Sequence, residues 1–132
     1  MSSYVFSVIT HGPFGEAVRR TTEALATEGF GVLTTVDVAK TFSQALGITR
    51  PPYVILGACS PRYAHAALEA DPDLGALLPC NVVLRARPDG RIDVVFMDPE
   101  AVLGLVTHPA VSGLAGEVRA RLQRVADTLA RV

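Results

Sequence analysis

The sequence predicts an α+β fold, in which a single sheet of about five strands, mixed or mainly antiparallel, is backed by helices. Short apolar runs alternate with amphipathic stretches in the order strand, helix, strand, helix, strand, helix, hairpin, helix. The turn Pro88-Asp89-Gly90 between two β-rich runs predicts the hairpin and therefore antiparallel pairing. The length of 132 residues and the 49% hydrophobic content suit a single domain over residues 1–132.

The first half of the chain predicts three strands and two helices. The strands are predicted from β-rich apolar runs at residues 3–10, 32–36 and 53–58. An apolar period of 3.6 residues from Phe14 to Leu25 predicts the first helix. Asp37 is a suitable N-cap for a second, short helix, which Gly47 is expected to end.

The second half is divided by a recurring helix-start pattern. An N-cap acceptor stands before a proline at Ser60-Pro61, Asp71-Pro72 and Asp98-Pro99. Residues 81–87 and 91–97 predict the two strands of the hairpin. An apolar stripe from Leu114 to Leu129 predicts a docked C-terminal helix.

Composition excludes several function classes. A formal net charge of -1 gives no electrostatic basis for binding nucleic acid. No apolar run approaches the roughly 20 residues that span a bilayer, and the first residues do not form a signal peptide. We therefore expect a cytoplasmic protein whose two cysteines are free thiols rather than a structural disulfide.

Cys59 and Cys80 are the leading candidates for a functional site, because each lies where an apolar strand meets a proline-containing turn. If their strands are antiparallel neighbours, both thiols lie at one edge of the sheet. Cys59 also precedes the Ser60 N-cap, and the positive end of the following helix would stabilise a thiolate there. The alternative is a small, buried and unreactive cysteine.

The histidines and acidic residues add no clear catalytic or metal pattern. His65 stands four residues before Glu69, which is typical of a surface ion pair on a helix, although His65 is also a candidate base for Cys59. The CxxC and HxxxH spacings of structural zinc sites are missing from the sequence, so no metal ligand is predicted and no cofactor is assigned.

Several segments between residues 29 and 103 form a recognisable set, and those around the cysteines are its most specific members: Gly29-Phe30-Gly31-Val32-Leu33-Thr34, Asp37, Pro52-Tyr53, Ile55-Leu56-Gly57-Ala58-Cys59, Pro61, Ala64-His65, Ala67-Leu68-Glu69, Leu78-Pro79-Cys80-Asn81-Val82 and Asp98-Pro99. With this set the chain resembles the domain of unknown function 302 family. The resemblance implies a small domain, dimeric in some members, with a helix-backed sheet similar to TATA-binding-protein-like folds. It implies no settled activity and no DNA binding.

The resemblance also selects positions for a site. Those that match the family motif are Cys59, Pro61, Pro79, Cys80 and Asn81. Ser60 departs from the motif, because relatives commonly carry asparagine there.

Our first functional hypothesis is a homodimeric cytoplasmic binding or interaction domain without a favoured enzyme activity. Its two-cysteine edge, formed by Cys59, Ser60, Pro61, Pro79, Cys80 and Asn81, would contact an unidentified small ligand or protein partner. One alternative is a thiol-dependent redox protein or enzyme, with Cys59 as nucleophile, Cys80 as resolving thiol and His65 as base. A second alternative is a thiolate-ligated metal or haem binder.

Overall fold

A computed structural model describes residues 3–132. Within them, five strands form one sheet: β1 (Val5–Thr10), β2 (Gly31–Asp37), β3 (Tyr53–Cys59), β4 (Cys80–Ala86) and β5 (Ile92–Met97). Their spatial order is β1, β5, β4, β3, β2, and every neighbouring pair is antiparallel. The predicted fold class is confirmed, and the sheet is antiparallel throughout the described residues rather than mixed.

Five α-helices and two 3₁₀ segments connect or cover these strands. The α-helices are α1 (Phe14–Thr27), α2 (Val38–Leu46), α3 (Pro61–Ala70), α4 (Pro99–Val102) and α5 (Pro109–Leu129), and the 3₁₀ segments are Pro72–Leu77 and Leu103–Leu105. None of the helices in residues 3–132 combines the length and the apolar character needed to cross a membrane.

The capping residues explain most of the helix starts. The side chains of Asp37, Asp71 and Asp98 each accept a hydrogen bond from a backbone N–H of the following turn, at 2.9 to 3.0 Å. Gly47 ends α2 in the left-handed conformation, with φ of 67°. The segment after Asp71 is a short 3₁₀ helix rather than an α-helix.

Two helix starts differ from the sequence prediction. Ser60 occupies the N-cap position of α3, but its side chain makes no capping hydrogen bond. α5 begins at Pro109, before the apolar stripe, and its cap is His108, whose Nδ1 accepts from the backbone N–H of Ala110 at 3.1 Å.

One face of the sheet, here called the covered face, carries the main core. Alternate residues of the three central strands are buried there against α1 and α5: Val54, Leu56, Ala58, Val82, Leu84, Ile92, Val94 and Phe96. Leu25 of α1 and Leu122, Val125 and Leu129 of α5 complete this cluster.

The other face, here called the open face, is not covered by any helix of the described residues. The strand register aligns Val36, Ile55, Val83 and Val95 in one row across β2, β3, β4 and β5. All four residues remain half-buried or exposed and none belongs to a buried cluster. The sheet therefore presents an apolar surface on the side opposite to its helices.

Candidate functional site

The register places the two cysteines at the same end of the sheet. Cys59 is the last residue of β3 and Cys80 is the first residue of β4, and these strands are antiparallel neighbours. Ala58 is the direct cross-strand partner of Cys80, so Cys59 and Cys80 are diagonal neighbours. Both are free cysteines.

Strand alternation places the Cβ atoms of the two cysteines on opposite faces, although both residues line the same cavity at this edge. Cys80 shares the covered face with Ala58 and is buried, whereas Cys59 follows Ala58 by one residue and belongs to the open face. Side chains on opposite faces of adjacent strands do not meet without a change of backbone conformation. The structure therefore brings the cysteines to one edge but does not arrange them as a disulfide pair.

The surroundings of both thiols favour the protonated form. Burial and the nearby Cys59 together raise the pKa of Cys80 to about 11. Burial also raises the pKa of the Cys59 thiol. This direction is opposite to the thiolate stabilisation expected from the start of α3, and it weakens both thiols as nucleophiles near neutral pH.

The cavity beside the cysteines is small and mostly apolar. It has a volume of about 40 Å³, and it is lined by Phe30, Ala58, Cys59, Ser60, Tyr63, Ala64, Ala67, Leu78, Cys80, Leu103, Leu114 and Val118. A cavity of this size holds one or two water molecules rather than an organic ligand. This cavity is thus too small for an organic ligand, whereas an adjacent open groove of about 390 Å³ is lined by Ser60, Pro61 and Arg62.

The other predicted site residues flank this edge. Asn81 pairs with Gly57 and is exposed on the open face, and Pro79 follows Leu78 through a cis peptide bond. A Cβ atom on Gly57 would meet the Thr34 hydroxyl group and would lie 3.0 Å from Cγ of Pro79. Glycine therefore allows the close packing of β2 and Pro79 around β3. Pro61 is exposed at the first position of α3.

His65 does not join the cysteines. Its side chain is 78% exposed, and its Nε2 lies 3.9 Å from Oε1 of Glu69 on the same helix. His65 is also outside the set of residues that line the cysteine cavity. Its placement matches the surface ion pair rather than a base for Cys59.

The side chains at the cysteine edge also do not form a metal-binding site. Within residues 3–132, no three His, Cys, Asp or Glu side chains converge in a group that could hold a metal ion. A metal or haem bound by Cys59 or Cys80 would need further ligands from outside this set.

A polar network next to the cavity has no clear signal in the sequence. The Tyr63 hydroxyl accepts a hydrogen bond from Nε of Arg121 at 2.9 Å. Glu28 accepts from Arg124 at 3.0 Å and lies 3.7 Å from Arg121, and the hydrogen bond from Arg124 lowers the pKa of Glu28. These four residues tie α3 and α5 to the end of α1. Their separation by up to 96 positions explains why local patterns do not reveal the network.

Comparison with protein families identifies the chain. The model of the family described as "Domain of unknown function DUF302" matches residues 6–129. The chain belongs to the DUF302 family. This match extends well beyond residues 29–103, which carry the resemblance in the sequence motifs.

A solved structure supports the same assignment. The chain is similar to the crystal structure of an uncharacterized conserved DUF302 protein from Bacillus stearothermophilus, with 28% sequence identity and a TM-score of 0.87. The similarity covers 97% of this chain and 99% of that one. Comparison with curated proteins gave no match.

Proposed function

We propose that this DUF302 domain is a cytoplasmic interaction domain that pairs with a second copy of itself through the open face of its sheet. The observation that carries this proposal is the row formed by Val36, Ile55, Val83 and Val95. These side chains are aligned by the strand register, and no element of the described residues covers them. Exposed apolar patches of this kind mark interaction sites.

The charges around the row are compatible with self-association. The row has no charged member, and Asp93, two residues before Val95 on the same face, is already paired with Arg87 at 2.7 Å and with Arg85 at 3.4 Å. A two-fold interface brings the same patch of each copy together. An unpaired charge at its centre would therefore face the same charge on the other copy and be repelled by it. The uncharged row avoids this repulsion at its centre, while the cluster of Arg85, Asp93 and Arg87 beside it carries one net positive charge.

The available area is of the order that a dimer needs. Five strands at about 4.8 Å spacing and about 20 Å length give a flat footprint of roughly 480 Å². A standard interface buries about 800 Å² of accessible surface per partner. The side chains that project from the sheet give it a larger accessible area than the flat footprint. Exposed apolar residues of the adjacent β2 and α2 region, Leu33 and Leu46, offer additional area. In the whole stretch from Gly31 to Pro52 no residue is fully buried.

The cysteine edge becomes the rim of this interface. Cys59 and Asn81 lie at one end of the open face, where a second copy would contact them, while Cys80 stays in the core. The raised pKa of both thiols supports a contact role more than the redox or thiol-enzyme alternative. The cytoplasmic location that we propose would keep both thiols reduced.

Sedimentation velocity tests this proposal. At about 100 µM, well above the dissociation constant of a standard interface, we expect the wild-type chain to have twice its mass of 14.0 kDa. Val83→Asp places a charge at the centre of the row, on the middle strand, and should give a monomer with an unchanged circular dichroism spectrum. The matched control is Leu105→Asp, because Leu105 is 77% exposed and lies outside the sheet.

Two results would contradict the proposal. One is a wild-type chain that stays monomeric at this concentration. The other is a Val83→Asp variant that still dimerises, especially if Leu105→Asp disrupts the dimer, because the interface would then lie on the helical side of the molecule.

A further inference from the structure

A groove of about 550 Å³ lies between α1, α2 and the start of β3, away from the cysteine edge. Ligand pockets typically have volumes of about 300–1,000 Å³, so this groove has the size of a small-molecule site. Its apolar wall includes Phe14 and Val18 of α1 and Tyr53 and Val54 of β3. None of the four residues in the open-face row lines it, so a ligand here does not depend on the proposed dimer.

Two cations border the groove without an acidic partner. Seven of the eleven arginines form ion pairs in the structure: Arg19, Arg85, Arg87, Arg91, Arg119, Arg121 and Arg124. By contrast, neither Arg50 nor Lys40, the single lysine of the sequence, pairs with a carboxylate within residues 3–132. Two positively charged residues that line one concave surface favour a negatively charged ligand.

Arg50 is held in place by two aromatic rings. Its Cζ atom lies 4.9 Å from the centre of the Tyr53 ring and 5.9 Å from the centre of the Phe42 ring. Its Nε donates to the Pro51 carbonyl group at 3.4 Å. The terminal nitrogens make no hydrogen bond among the described residues, so the planar fork is free to bind a carboxylate or phosphate group.

The acidic residue of the groove does not cancel this charge. Asp37 is the one carboxylate among the lining residues, and its Oδ1 accepts the backbone N–H of Lys40 at 2.9 Å as the N-cap of α2. Its negative charge therefore acts mainly on the start of that helix. The ammonium group of Lys40 and the guanidinium group of Arg50 leave an excess of one positive charge at the groove.

We propose that this groove binds a small aromatic oxyanion, which is a molecule with an aromatic body and one carboxylate or phosphate group. The oxyanion would accept hydrogen bonds from Arg50 and Lys40. The aromatic body would lie along the apolar wall, which includes the aromatic side chains of Phe14 and Tyr53.

Titration of the ¹⁵N-labelled chain with phenyl phosphate tests this inference by NMR. We expect saturable shifts of the amides of Lys40, Ser43 and Thr49, which line the groove. Arg50→Gln and Lys40→Gln should each weaken binding about tenfold, the factor that one charge-assisted hydrogen bond provides. Arg62→Gln is the matched control, because Arg62 is exposed, has no ion pair among the described residues and lies outside the groove. Arg50→Lys should recover part of the affinity.

Further probes separate the two parts of the ligand. Benzoate distinguishes a carboxylate preference from the phosphate preference, and either one supports the inference. Benzyl alcohol that binds as tightly as phenyl phosphate would refute the role of the charge. Inorganic phosphate that binds as tightly would refute the role of the aromatic body.

Lys40 provides an independent test, because it is the single lysine of the sequence. Saturating phenyl phosphate should slow the acylation of Lys40 by an amine-reactive ester, measured by mass spectrometry, while benzyl alcohol should not. Absence of any saturable shift with both phenyl phosphate and benzoate, or equal weakening by Arg62→Gln, would overturn the inference.

Discussion

The two faces of the sheet have similar residues but different surroundings. On β4, Val82 is completely buried under the helices, whereas its neighbour Val83 remains partly accessible on the open face. On β3 the same contrast separates Leu56 from Ile55. Alternating apolar and polar residues are the usual pattern of a sheet with one solvated face, and strands that read as continuous apolar runs are typical of sheets buried on both faces.

This difference shows that the sequence of the central strands suits burial on both sides, while the helices of the chain cover one side. Residues 53–58 and 92–97 are nearly all apolar. A second copy on the open face would reconcile the strand composition with the observed layers, and this is the interface proposed above.

The largest expected effect comes from shortening the neighbouring side chains Leu56 and Ile55. Leu56→Ala creates a cavity in the core and should lower the free energy of unfolding by about 2–5 kcal/mol. Ile55→Ala should cost about 1 kcal/mol or less in the monomer, because the side chain is already partly exposed there. Urea unfolding at low protein concentration measures both values. Equal losses in the free energy of unfolding for the two variants would contradict the difference in burial between the two faces.

The second-largest expected effect on stability comes from replacing Asp93. This residue lies on the open face and is only 5% exposed. Hydrogen bonds from Arg87, at 2.7 to 3.0 Å, hold its pKa below the usual value, and the charge of Arg85 adds to this effect. A lowered folded-state pKa stabilises the protein above the unfolded-state pKa of about 3.9, and this stability is lost as the pH falls through the folded-state value.

We therefore expect Asp93→Asn to lower the free energy of unfolding at pH 7 by about 1.5–3 kcal/mol, the range for hydrogen bonds to charged groups. The variant should also lose less stability than the wild type below pH 4, because it has one titrating carboxylate fewer. Urea unfolding between pH 2 and pH 7 measures both the free energy of unfolding at pH 7 and its decrease at low pH. Asp127→Asn is an exposed control, and we expect a change within about 0.5 kcal/mol. An equal effect of both substitutions would show that the open face gains no specific stability from its ion pairs.

The smallest effect on stability, and a direct comparison of the two faces, comes from alkylating the thiols with iodoacetamide. Cys80 on the covered face should stay unmodified at pH 7 until the chain unfolds, because it is buried and its pKa is raised to about 11. Cys59 on the open face should react more slowly than a free thiol but before Cys80. Mass spectrometry of native and urea-unfolded samples measures both rates. A Cys59 that reaches half its maximal rate below pH 8 would instead support the thiol-enzyme hypothesis, since unperturbed cysteine has a pKa of about 8.5.

Local chemistry made much of the fold predictable from the sequence. Asp37, Asp98 and Gly47 act through contacts within a few residues, and these are visible as short patterns. The hairpin around Gly90 is local in the same sense, and Gly90 has the positive φ of 88° that its turn requires.

The candidate site was less predictable because it depends on register and on distant contacts. The sequence placed Cys59 and Cys80 at strand ends, but the cross-strand pairing of Ala58 with Cys80 is what places their Cβ atoms on opposite faces. The predicted Ser60 side-chain cap was wrong, since Ser60 stands at the N-cap position without a capping hydrogen bond. The groove near Lys40 and Arg50 is assembled from three elements and has no contiguous motif.

The strand order also determines when each strand can pair with its neighbour during synthesis. β1 is made first, yet its partner is β5, and the register pairs Val5 with Met97. β2 to β5 can pair in the order in which they are made, whereas β1 cannot pair with its partner until β5 has been translated. Until then the apolar residues of β1 are accessible to chaperones and to other nascent chains. We therefore expect β1 to be the strand of this domain that is most prone to misfolding and aggregation.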